Sequence, residues 1–138
     1  MLKIKNRDLL SVYNLLMELK LPFKDSRLRT KFAKFIGEYN DSTYVVARQE
    51  IINELCTQTD DGRMVAQGEN AIKFQNEMNV LENECFKLEC NEVNKEMLLK
   101  VNEILHNEEL FDELSGEQAL IHETLCEEFE RIEQLYEN

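Results

Sequence analysis

The sequence predicts one predominantly helical α+β domain spanning all 138 residues: a three-helix segment over 1–58, then a small antiparallel β-sheet made of a hairpin and one strand, then two C-terminal helices. Three observations carry this reading. Apolar residues recur at spacings of three and four along most of the chain. Clean alternation of apolar and polar residues is confined to Leu2-Lys3-Ile4-Lys5 and to Phe86-Lys87-Leu88-Glu89-Cys90. One Pro and four Gly leave few places where a helix must break, and 43% hydrophobic with 32% charged residues is the balance of a packed globule.

In chain order, Leu2-Lys3-Ile4-Lys5 reads as a short strand, and Asn6 offers an N-cap for a helix to about Lys20 with Leu9, Val12, Tyr13, Leu16 and Leu19 on its inner face. Pro22 disfavours α geometry at Leu21, so that helix stops and the next starts at Asp25 or Ser26. Leu28, Phe32, Phe35, Ile36 and Tyr39 form its apolar stripe. Asn40-Asp41-Ser42 is expected to close it and to cap a third helix, which runs to about Gln58 and carries Tyr44, Val45, Ile51, Ile52 and Leu55. After the turn cluster Asp60-Asp61-Gly62, the short apolar runs 63–66 and 71–74 flank a Gly-containing loop and read as a hairpin.

A short helix over 75–84 follows, with Met78, Val80 and Leu81 as its apolar members, and then the strand at 86–90. Asn94 is expected to cap a helix to about His106 in which Met97, Val101, Ile104 and Leu105 pack and Glu96 pairs with Lys100. Ser115-Gly116-Glu117-Gln118 fits the capping box and opens the last helix, whose apolar face is Leu120, Ile121, Leu125, Ile132, Leu135 and Tyr136. Glu128 falls inside that face. It either answers a basic residue of the second helix or marks where the last helix passes beyond the core.

Nothing in the chain matches a catalytic or cofactor motif: there is no phosphate-binding glycine loop, no dinucleotide fingerprint and no H-E-x-x-H. Carboxylates are abundant on helix exteriors without any pair set apart as acid and base, and His106 and His122 read as surface histidines. The D-D-G turn lacks the glutamate that a calcium loop needs, since the twelfth position counted from Asp60 holds Ala71. Cys85 and Cys90 would point to opposite faces of a strand, while Cys56 and Cys126 stand alone in helices, so four reduced thiols are expected and no zinc site. The chain is therefore expected not to be an enzyme and to carry no cofactor or metal. Without an apolar run of spanning length or a signal-peptide core, it is expected in the cytoplasm, away from membranes.

Charge is divided unevenly, with net +3 over 1–56 and net −15 over 57–138, for −12 in total. Two candidate interaction surfaces follow. The first is basic: Arg27, Lys31 and Lys34 make a row beside the stripe of the second helix, with Arg29 next to them. The second is acidic, formed by Glu123, Glu127 and Glu130 on the outer face of the last helix. Against a functional reading, the basic side chains could simply lie over the apolar edge and pair with the acidic half, and acidic helices keep small proteins dispersed.

Lys3-Ile4-Lys5-Asn6 leading into Leu9 and Leu10, the run Ser26-Arg27-Leu28-Arg29-Thr30-Lys31-Phe32, the turn Asp60-Asp61-Gly62 and Leu114-Ser115-Gly116-Glu117 together resemble a family of small uncharacterised proteins encoded by tailed bacteriophages and prophages of Gram-positive bacteria. The resemblance implies a phage-encoded, non-enzymatic accessory or assembly protein that acts through protein–protein contact or self-association in the host cytoplasm or on the virion. It brings no active residues with it. Two other readings stand beside this one: a nucleic-acid-associated regulator using the basic helix 26–36, which a net charge of −12 disfavours, and an acidic inhibitor of a host protein using Glu123, Glu127 and Glu130.

Overall fold

The computed structural model describes residues 1–137, and the mostly helical α+β class is the one observed. The two alternating segments find each other: β1 (Leu2–Lys5) pairs antiparallel with β4 (Cys85–Leu88), Leu2 opposite Leu88 and Ile4 opposite Phe86. Period-two alternation then puts those four apolar residues on one face and Lys3 and Lys87 on the other. That face is covered by α1 (Leu9–Met17), α2 (Phe23–Tyr39), α5 (Glu92–Leu105) and α6 (Gly116–Glu137). At the centre, Phe32 of α2 meets Phe129 of α6 nearly edge-on, with ring centroids 5.6 Å apart. Both rings are fully buried, each stabilising the fold by about 2–3 kcal/mol through area removed from water.

Asn6 does not cap α1. A 3-10 turn, Asn6–Asp8, intervenes, and Asn6 is buried with its backbone N–H donating to the Glu84 carbonyl and its Nδ2 donating to the Leu81 carbonyl, both at 2.8 Å. It ties the start of the chain to the end of α4 (Glu69–Asn83), sharing the Leu81 carbonyl with the Glu84 N–H, which also reaches it at 3.2 Å. α2 starts at Phe23, two residues before the expected Asp25, with Pro22 as its N-cap; Pro lacks an N–H and its fixed φ suits a helix entry.

The expected break at Asn40-Asp41-Ser42 is absent. The backbone runs through one π-helical turn, Asn40–Tyr44, straight into α3 (Val45–Leu55). The side chains that could have capped a new helix bond one another instead, Asn40 to Asp41 and Ser42 to Thr43, so no backbone amide competes for them. The hairpin also lies elsewhere: β2 (Thr57–Gln58) pairs with β3 (Met64–Val65) around the Asp60-Asp61-Gly62 turn, where Gly62 takes φ +85°. The segment 71–74, expected as the second strand, sits inside α4. A four-residue apolar run fits either period, and here its helical spacing to Met78 and Leu81 prevailed.

One further cap and one ion pair moved as well. Asn91 caps α5, its Oδ1 accepting from the Asn94 N–H at 2.9 Å, while Asn94 donates its Nδ2 to the Glu89 carbonyl. Lys100 pairs with Asp25 and Glu103 at 3.4 and 3.1 Å in place of Glu96. The capping box of α6 is present in both directions: Ser115 N–H donates to Gln118 Oε1 and Gln118 N–H to Ser115 Oγ, each at 3.2 Å. Together α3, the hairpin and α4 form an arm. Its buried residues Leu55, Cys56, Met78 and Leu81 stand apart from the main core cluster.

Candidate interaction surfaces

Of the four basic candidates on α2, one is spent inside the protein. Arg29 is 6% exposed; its Nη1 donates to the carbonyls of Leu16 and Leu19 at 2.7 and 2.8 Å, and its Nη2 donates to Ser26 Oγ at 3.1 Å. It closes the C-terminus of α1, where a cation meets the negative end of the helix and its orphan carbonyls. This corrects its assignment to an outward contact row. The signal was present in the sequence, because Arg29 lies three, four and seven residues before the buried Phe32, Ala33 and Ile36.

Arg27, Lys31 and Lys34 are exposed, and Lys24 joins them. Lys24, Arg27, Leu28 and Lys31 line an open groove of about 440 Å³ with Glu96 of α5 as its one carboxylate. Among the described residues none of the four cations has an ion-pair partner within 4.0 Å. At the start of the row Phe23 is 78% exposed, and the Arg27 guanidinium lies 5.9 Å above its ring.

On α6 the acidic candidates Glu123, Glu127 and Glu130 all face outward. Glu130 also meets His106, with Oε1 3.2 Å from Nε2, while His106 Nδ1 lies 2.8 Å from the Asn102 carbonyl. Both oxygens are acceptors, so only the imidazolium, with two N–H groups, satisfies both. The Asn102 carbonyl, and after it Glu130, raises the His106 pKa above its ordinary 6.5. Glu128 answers no residue of the second helix and is half-buried: its Oε1 accepts the Lys3 N–H at 2.8 Å, and Arg131 bonds both Glu128 and the Met1 carbonyl. The pair covers the free edge of β1, a position where unpaired strand groups would otherwise be exposed.

His122 is half-buried, stacked on Phe111 at 4.2 Å between centroids, with Nε2 2.8 Å from the Leu105 carbonyl and 3.5 Å from Cys126 Sγ. The sequence did not suggest this pairing, although a separation of four residues on one helix places side chains together. It is not a nucleophile–base pair. Nε2 must carry a hydrogen to bond the carbonyl and so cannot take the thiol proton, and burial, followed by Glu130 and Glu123, raises the Cys126 pKa. All four cysteines are free thiols, and no group of His, Cys, Asp and Glu among the described residues is arranged to hold a metal ion.

The arm supplies a surface that the sequence did not reveal. Met64, Val65, Ala66, Ala71, Phe74 and Met78 line one open groove of about 590 Å³ between the hairpin and α4, with Arg48 and Glu82 at its rim. It went unseen because 71–74 was assigned to a strand, which splits residues that α4 places on one face. Among the described residues no helix is long and apolar enough to cross a membrane. Neither a family model, a curated protein nor a solved structure matches the chain. The phage resemblance therefore rests on the sequence segments quoted for it.

Proposed function

We propose that the chain is a phage-encoded, non-enzymatic accessory or assembly protein that works by binding another protein through its α3–α4 arm. The observation that carries this reading is the arm's open groove, where Met64, Val65, Ala66, Ala71 and Phe74 stay exposed or half-exposed around the buried Met78. Met64 and Met78 suit such a surface because unbranched thioether chains adapt to the shape of an inserted side chain. Arg48 and Glu82 on the rim would set the orientation of the partner while the apolar floor supplies affinity. The nucleic-acid reading draws less support, since Arg29 is committed inside the protein and the net charge is −12.

The test is co-purification from cells expressing the phage's structural proteins, with the wild-type chain and with Ala71→Glu combined with Met64→Lys. Ala71 and Met64 are exposed and Glu is a good helix former, so the fold should persist, checked by circular dichroism. The expected result is one structural protein at fixed stoichiometry with the wild type and at least about tenfold less with the variant. No co-purifying structural protein, or one retained by the variant, would overturn the reading.

A further inference from the structure

We infer that the basic row of α2 docks on the acidic face of α6 from a second copy of this chain. The inference rests on the protein-contact reading but uses surfaces away from the groove. The two rows have the same spacing: Arg27, Lys31 and Lys34 are separated by four and then three residues, as are Glu123, Glu127 and Glu130. At 1.5 Å per residue both span about 10.5 Å, so three cations meet three carboxylates in one register. Each row also begins beside an exposed apolar residue, Phe23 at 78% and Leu120 at 67% exposure, which gives the seam an apolar anchor at the same end.

The rows cannot satisfy each other within one molecule. α2 and α6 touch through Phe32 and Phe129, and at 100° per residue each charged row lies roughly 100 to 160° around its helix from that contact. A nucleic acid would meet the same basic row but would also meet a chain of net charge −12, most of it in residues 57–138. A second copy offers the complementary charge in matching order. Each copy both gives a row and receives one, so the contact is heterologous and links copies head to tail. Exposed ion pairs are individually weak and screened, which makes the association salt-labile.

The experiment is solution mass by light scattering across a concentration series at about 50 and 500 mM salt. It uses the wild type, a basic-row reversal (Arg27→Glu with Lys31→Glu) and an acidic-row reversal (Glu123→Lys with Glu127→Lys). All four positions are exposed, and Glu130 is left alone to keep its contact with His106. The neutral variants Arg27→Gln with Lys31→Gln and Glu123→Gln with Glu127→Gln serve as a second set that leaves less room for misfolding, and circular dichroism checks every chain. The expected result is a wild-type mass above the monomer that grows with concentration at low salt and weakens at least about tenfold at high salt, a monomer for each reversal alone, and association restored when the two reversals are mixed. A wild-type monomer at low salt, an assembly indifferent to either reversal, or a mixture of folded reversals that stays monomeric overturns the inference. None of these outcomes touches the groove, whose co-purification test fails or succeeds independently.

Discussion

Arg29 brings a permanent charge into a site with 6% exposure, and it is tolerated there because two carbonyls and two hydroxyls accept its hydrogen bonds. Arg29→Ala removes the guanidinium from the Leu19 carbonyl and leaves the Leu16 carbonyl only the Leu19 N–H at 3.3 Å, a loss of about 2–4 kcal/mol in urea unfolding. Arg29→Lys should recover less than half, since a single ammonium cannot reproduce the guanidinium fork. His106 yields a pH dependence whose sign follows from its raised pKa. Folding favours the imidazolium, so the contribution is fully present below the unfolded value near 6.5 and fades as pH rises through the higher folded value. An NMR titration should find His106 above 6.5 and should find it lowered in Glu130→Gln; an unchanged midpoint would separate Glu130 from the effect. At this scale the sequence was legible for residues whose neighbours are local, such as Ser115 and Gln118. It was opaque for Glu128, whose partners lie at the other end of the chain.

Elements were legible where a period ran long enough to exclude the alternative. The stripe of α2 agrees with the expectation, and so does the alternation of Phe86 and Leu88, both buried, although the strand spans Cys85–Leu88 and leaves the expected Cys90 outside it. Several caps were not legible. Asn6, Asn40, Asp41, Ser42 and Asn94 all have capping chemistry, yet which of several polar residues caps is settled by small differences that other side-chain partners outweigh. The arm gives the element-scale prediction. α3 buries only Leu55, and α4 only Met78 and Leu81, whereas α5 buries residues along its whole length. Amide hydrogen exchange should therefore open α3 and the first turns of α4 well before α5; equal protection of arm and core would contradict this.

For the molecule as a whole, the sequence by itself determined the mostly helical class, the two alternating strands, the Pro22 and Asp60-Asp61-Gly62 punctuation and the capping box at Ser115. Each depends on residues within about four positions of one another, where periodicity and turn chemistry act. Tertiary structure alone decided that β1 pairs with β4, that Asn6 serves Leu81 across 75 residues, that Glu128 guards the edge of β1 across 125, and that Arg29 turns inward. It also assembled the arm's groove and left the charged rows of α2 and α6 facing away from each other. The physical reason is the same in each case. A buried polar group takes whichever partner the packed core brings within about 3 Å, and local sequence carries no record of which distant segment that will be.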